Sequence, residues 1–332
     1  MILGIPCGPR TFYLYMKDFK TIDEQINILK NKSLVFNDEE DAKKKLLINN
    51  YYNVINGYKD LFLDSDGNFI KNTTFEEIFA LYEFDRKLRS IFLEYILKIE
   101  NSLRTLVSYN FSLFHGSDNY LRIENFDNYD KINVSNIKKT KRIKHIQSLI
   151  IGINKQLGVS IETKKYIQHY LLTYGYVPLW VLVNILSFGD ICNFFKLMKQ
   201  KERVIVSSNF NIKENDLSSL LGILVKTRNI CAHDERLYNI IFDTGMTIND
   251  TVYHKNLQIP IINSRYKYGK NDLFAVVIAL KMLLSKEDYN SFHDKVVISI
   301  MELCSNLTTV ELSDVLIYMH FPYNFYDLKN MS

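Results

Sequence analysis

Apolar residues return every three to four positions along most of the chain, the period of an amphipathic helix and not the alternation of a strand. The longest such run covers residues 75–113, where Ile78, Leu81, Tyr82, Leu88, Phe92, Tyr95, Ile96, Ile99 and Leu103 keep helical spacing. Asp85, Arg89, Glu100 and Arg104 interrupt it as polar members. The run Thr73-Thr74-Phe75-Glu76-Glu77 offers a capping box at its start, and His115-Gly116 ends it. Earlier, the capping box Thr21-Ile22-Asp23-Glu24 opens a short helix with Ile22, Ile26 and Leu29 on one face. A β-like Leu34-Val35-Phe36 follows, and a second helix is predicted from near Asn37 to Asn56-Gly57. Asp64-Ser65-Asp66-Gly67-Asn68 reads as a tight turn or hairpin. A calcium loop fails there, because Phe62 takes the first ligand position and Thr73 the place of the bidentate Glu.

Residues 117–136 read as a loop rich in Asn and Asp, followed by a basic run at 138–145 that leads into an apolar helix. The most membrane-like stretch, 171–188, contains Gly175, Pro178, Asn184 and several aromatics, so a buried core helix is expected, with Pro178 in its first turn. Further helices are predicted at 190–198, at 216–233 with Asn215 or Asn211 as cap, at 272–284 and at 286–304. Residues 242–271, with Pro260, are irregular. The expected fold is all-α with a small β-hairpin at most. It divides into an N-terminal helical subdomain (1–72), a helical core (73–245) and a C-terminal helical extension packed on the core (246–332).

Composition supports that reading. With Gly at 12 and Pro at 5 in 332 residues, turn-formers are too scarce for a sandwich or barrel. Hydrophobic residues at 47% and charged residues at 23% exclude disorder as the global state. The net charge of +4 is mild, so any basic surface must come from local clustering. Cys7, Cys192, Cys231 and Cys304 are far apart and form no C-x-x-C pair, which argues against a zinc cluster or a disulfide scaffold. The six His residues other than His233 have no metal-ligand spacing, and no metal or other cofactor is expected. Residues 1–6 are too short for a signal sequence and lack a basic lead, so a cytoplasmic protein with no membrane partner is expected.

The chemistry concentrates in residues 226–239. Leu217, Leu220, Leu221 and Leu224 make an apolar helix face, and Arg228, close to three turns beyond Leu217, falls on it. An Arg where the pattern wants Leu needs a reason. Asn229, His233 and Arg236 stand at i, i+4, i+7 as one polar stripe, with Lys226 close by. Guanidinium groups, an imidazole and an amide at one helix end suit a phosphodiester: Arg neutralises developing charge, His moves protons and Asn orients. The competing reading is a salt-bridged core Arg and a hydrogen-bonded His.

At these residues the chain resembles a family. Arg228 and His233 match the R-x4–6-H motif of HEPN-type ribonucleases, and Arg228 to Asn239 resembles the signature of the Abi abortive-infection proteins of the AbiD/AbiF type. Further blocks agree: the N-terminal segments at 21–29, 51–52 and 56–58, the runs 82–89 and 99–105, and 177–181 with 187–190. The resemblance implies a HEPN-like helical bundle and a metal-independent endoribonuclease of antiphage defence, in which the ribose 2′-hydroxyl attacks the adjacent phosphate. Within that frame His233 is the general base or acid, Arg228 stabilises the phosphorane and Asn229 positions it or the His. It also implies a homodimer and RNA as substrate, with a small-RNA antitoxin as a further partner. The alternative is a non-catalytic RNA-binding or sensor protein of the same fold. Helix geometry favours the dimer, because Arg228 and His233 lie about 140° apart around the axis.

Several supporting residues carry two readings. Glu100 and Arg104, spaced i, i+4, either orient the motif or form an ordinary ion pair. For Asp85 and Arg89 the ordinary pair is expected. Lys138, Lys139, Lys141, Arg142 and Lys144 are either a phosphate-tracking patch or a solvated face. Tyr174, Tyr176 and Trp180 could stack on bases, although core packing is expected for Trp180.

Overall fold

The computed structural model describes residues 18–129 and 134–331; the segment 1–6 and Cys7 lie outside the described residues. The chain divides into two compact units, Met1–Phe79 and Ala80–Ser332.

In the first unit, α1 (Ile22–Asn31) starts at the Thr21–Glu24 capping box, and Asp38 caps α2 (Glu39–Asn49). Their buried residues include Ile26, Leu29, Ala42 and Leu46. The helix expected to reach Gly57 stops earlier: Asn50 takes a left-handed φ of 67°, and a separate π-turn covers Tyr52–Asn56. Val35 bridges Thr74, and Leu63 pairs with Phe69. The turn between them is set by Asp64, whose Oδ1 accepts the N–H groups of Asp66 and Asn68. The long helix α3 (Phe75–His115) begins with the Thr74–Glu77 capping box, and Gly116, with φ 84°, follows its end.

The rest of the second unit is α4 (Asn136–Thr163), α5 (Lys165–Tyr174), α6 (Leu179–Leu182), α7 (Phe188–Leu197), α8 (Gln200–Ser208), α9 (Glu214–Ala232), α10 (Val252–Asn256), a hairpin of β1 (Ile261–Ile262) and β2 (Arg265–Tyr266), then α11 (Leu273–Leu283), α12 (Lys286–Cys304) and α13 (Leu312–Tyr318). Asn263 and Ser264 both take positive φ in the two-residue hairpin loop, as the twist of the strands requires. Helix α9 packs against α7, α8 and α11, α4 against α5 and α7, and α11 against α12. The fold is all-α apart from this hairpin. No helix among the described residues is long and apolar enough to cross a membrane.

Two expectations fail in informative ways. Residues 171–188 are not one buried helix. Gly175, left-handed at φ 75°, ends α5, and Pro178 caps the four-residue α6. Leu172 and Trp180 are exposed in consequence, so the core-packing expectation for Trp180 is wrong. Helix α9 begins after Lys213 and contains Asn215; neither Asn215 nor Asn211 is its N-cap, and Asn211 sits in the preceding turn with φ 56°.

Candidate active site at the end of α9

The buried face of α9 rotates along its length, from Leu217 and Leu221 at the start to Ile223, Thr227 and Ile230 at the end. Arg228 therefore falls on the rim and not within the apolar face, correcting the sequence expectation, and its side chain is 34% exposed. Thr227 takes the buried place and donates its hydroxyl to Ile223 O at 2.8 Å. Lys226 and Asn229 are exposed.

His233 is the C-cap of α9. Its N–H donates to Asn229 O at 3.0 Å, and its imidazole is exposed with no hydrogen bond or ion pair to another described residue. Asp234 follows with φ 58°, taking the left-handed position where Gly is usual, and Glu235 N–H returns to Ile230 O at 3.1 Å. The chain leaves the helix here, so Arg236 is exposed but does not continue the Asn229–His233 stripe. The i, i+4, i+7 expectation holds for two members and fails for the third.

Helix α3 grips both ends of the motif. The carboxylate of Glu100, only 3% exposed, accepts from Arg104 Nη2, while its other oxygen lies 3.6 Å from Arg228 Nε. That second distance makes an ion pair too long for a hydrogen bond, and neither atom has a hydrogen-bond partner. Arg104 also donates through Nη1 to Val183 O, which ties the end of α6 to this cluster. Glu100 and Arg104 thus pair within α3, as the ordinary reading has it, and Glu100 reaches Arg228 as well.

About three turns earlier on α3, Arg89 donates to Asp85 Oδ2 at 2.6 Å and to Asp234 Oδ1 at 2.6 Å. Asp85, with no solvent exposure, accepts the N–H groups of Leu237 (3.1 and 3.3 Å) and Tyr238 (2.7 Å). A buried carboxylate is tolerable when it meets a cation and several donors at once. This pair was expected to be an ordinary intrahelical contact. It fastens the turn after His233 to α3, and the available signal was that Asp85 and Arg89 repeat the Glu100/Arg104 spacing within the same apolar pattern.

Cys231 is not a nucleophile here, since burial pushes its thiol up to about 12, far from thiolate at neutral pH. Among the described residues no three His, Cys, Asp or Glu side chains group so as to hold a metal ion. Of the basic run, Lys138, Lys141 and Lys144 are exposed on α4 and Lys139 is half-buried. Arg142 does not belong with them. It donates to Asp127 O at 2.7 Å and Lys196 O at 2.8 Å, joining α4 to the end of α7.

No curated protein and no solved structure matches this chain. A family model described as Abi-like protein matches residues 44–239, a span that holds α3, the Glu100 and Arg89 clusters and the whole α9 turn, and the chain belongs to the Abi-like protein family.

Proposed function

We propose that this chain is an abortive-infection effector of antiphage defence acting as a HEPN-type, metal-independent endoribonuclease in the cytoplasm. Membership of the Abi-like family supports the defence role. The chemical reading rests on one observation: an exposed imidazole at the helix end, with Arg228 one turn back and both ends of the motif held by buried groups of α3. In this reaction the ribose 2′-oxygen forms a bond to phosphorus while the bond from phosphorus to the 5′-oxygen breaks. His233 takes the proton of the 2′-hydroxyl or supplies one to the leaving 5′-oxygen. Arg228 neutralises the charge that develops on the phosphorane oxygens, and Asn229 orients the phosphate. Because RNA supplies its own nucleophile, one imidazole from each protomer of a homodimer serves as base and acid. A small RNA serves as antitoxin by covering the same surface.

A second reading, non-catalytic RNA binding or sensing, is favoured by the hold of Glu100 on Arg228. Expression of wild type, Arg228→Ala and His233→Ala, with growth followed in cells and RNA cleavage assayed in EDTA, decides between them. Growth arrest and EDTA-resistant cleavage, both lost in the two variants, is the expected result. RNA binding without cleavage supports the second reading, and cleavage that survives His233→Ala removes the assigned site.

A further inference from the structure

Residues 136–180 carry eight Lys or Arg and a single acid, Glu162, a net +7 against +4 for the entire chain. All eight lie between Lys138 and Lys165, so the excess basic charge of the protein resides in α4 and at the start of α5. Helices α4 and α5 pack on each other, and Lys138, Lys141, Lys144, Lys155, Lys164 and Lys165 are exposed on them.

The same segment exposes aromatic rings. Trp180, the sole Trp of the chain, is 52% exposed and Tyr174 58%, and Tyr176 is also open to solvent. A Trp is ordinarily among the more buried side chains, so its exposure at this site asks for a ligand. The left-handed Gly175 and the cap at Pro178 lie between Tyr174 and Trp180, so the three rings fall within seven residues of chain; the Tyr174 ring lies 5.7 Å from that of Tyr170, and Ser117 Oγ lies 3.5 Å from the Tyr176 hydroxyl. Trp180 also lies one helical turn from Val183, whose carbonyl is held by Arg104, the partner of Glu100 in the Arg228 cluster. Trp180 is thus linked through the backbone of α6 to the proposed phosphate site.

We infer that α5, α6 and the Gly175–Pro178 link form a single-strand RNA platform, on which Trp180, Tyr174 and Tyr176 stack bases and Lys164 and Lys165 meet phosphates. This deepens the ribonuclease reading by naming where the strand lies and which form of RNA is taken. Duplex RNA hides its base faces, so a stacking platform selects unpaired nucleotides, whereas the basic charge alone would not discriminate. The charge excess favours RNA over a second copy of the chain, because like segments of net +7 repel when apposed.

The sole Trp makes the test direct. Full-length His233→Ala protein is titrated with a twelve-nucleotide single-stranded RNA of mixed sequence and with the corresponding duplex, following Trp emission and RNA anisotropy together. Emission should be quenched in step with single-strand binding and much less by the duplex. Trp180→Ala should weaken single-strand binding about tenfold, with Trp180→Phe retaining most of it. Lys164→Ala with Lys165→Ala should lower the slope of log affinity against log salt by about 1.4. Unchanged emission at saturating RNA, or Trp180→Ala binding within twofold of its parent, overturns the platform. So does an emission change that follows protein concentration without RNA, which would place the ring in a contact between copies. Quenching by RNA in a protein whose wild type cuts nothing leaves the platform standing and removes the ribonuclease reading. Cleavage that is indifferent to Trp180→Ala, Lys164→Ala and Lys165→Ala does the reverse.

Discussion

Arg89 and Asp234 meet at 2.6 Å, and through that contact a buried guanidinium on α3 holds the residue immediately after His233. Asp234 sits in a left-handed conformation that disfavours most side chains by about 1 kcal/mol. Its carboxylate offsets the strain by engaging Arg89, a link that the Gly usual at such a position could not make.

That trade separates stability from positioning. Asp234→Gly relieves the backbone and loses the ion pair, so its unfolding free energy should stay within about 1 kcal/mol of wild type. Asp234→Ala loses both and should be less stable than the Gly variant by about 1 kcal/mol. RNA cleavage should fall about tenfold in both, because the His233 turn is no longer fixed. Urea melts beside cleavage assays check this, and a fully active Asp234→Gly protein would contradict the positioning role.

Asp85 should be among the costliest surface-remote substitutions. Its carboxylate is fully buried, paired with Arg89 and bonded to two backbone N–H groups. Asp85→Ala leaves Arg89 with Asp234 but takes the acceptor from the buried Leu237 and Tyr238 N–H groups, and should lower stability by about 2–4 kcal/mol, measured by urea denaturation.

Glu100 acts on Arg228 by charge. Glu100→Gln keeps an acceptor for Arg104 while removing the buried negative charge beside Arg228. RNA affinity of His233→Ala protein carrying Glu100→Gln should rise about two- to tenfold at low salt, since the carboxylate no longer repels phosphate. An affinity unchanged across salt concentrations would mean that Arg228 does not meet the RNA.

Within the basic run, structure and surface separate cleanly. Arg142→Ala should cost about 1–3 kcal/mol of stability by leaving the Asp127 and Lys196 carbonyls unpaired, with RNA affinity little changed. Combined Lys138→Ala, Lys141→Ala and Lys144→Ala should leave the melt unaltered and lower the salt slope of RNA binding by about 2.

Acid should remove what the buried histidines of the second unit contribute to stability. His254 accepts the Thr251 N–H on Nδ1 at 3.0 Å and faces Gly269 O through Nε2 at 2.8 Å, and burial holds its pKa below the ordinary 6.5. Burial depresses His293 and His320 in the same direction. A depressed imidazole contributes stability above the unfolded pKa and loses it as pH falls through the folded one. Asp272 runs oppositely: burial pushes its carboxyl up to about 6, so its contribution is present below 3.8 and lost as pH rises through 6. Burial raises the Glu202 carboxyl in the same direction as Asp272, so the histidine contribution is isolated by difference, as the change in urea midpoint between pH 7 and pH 5 in wild type against His254→Gln. His254→Gln should show a lower midpoint with a shallower pH dependence.

Helix periodicity, capping boxes and the low counts of Gly and Pro determined the all-α class, the bounds of α3 and the place of the Arg228–His233 motif, because each depends on residues within a few positions of one another. The same local rules misplaced Arg228 on the buried face and Trp180 in the core. Burial of a helix face is decided by what packs against it: the buried side of α9 turns along the helix as its neighbours change, and Gly175 and Pro178 break the segment that would have covered Trp180. Asp85, Arg89 and Arg142 were visible as charges, but their partners lie at Leu237, Tyr238, Asp234, Asp127 and Lys196. Whether a charged side chain is a surface group or the anchor of a loop depends on donors and acceptors brought together from distant sequence, and only the tertiary structure decided that.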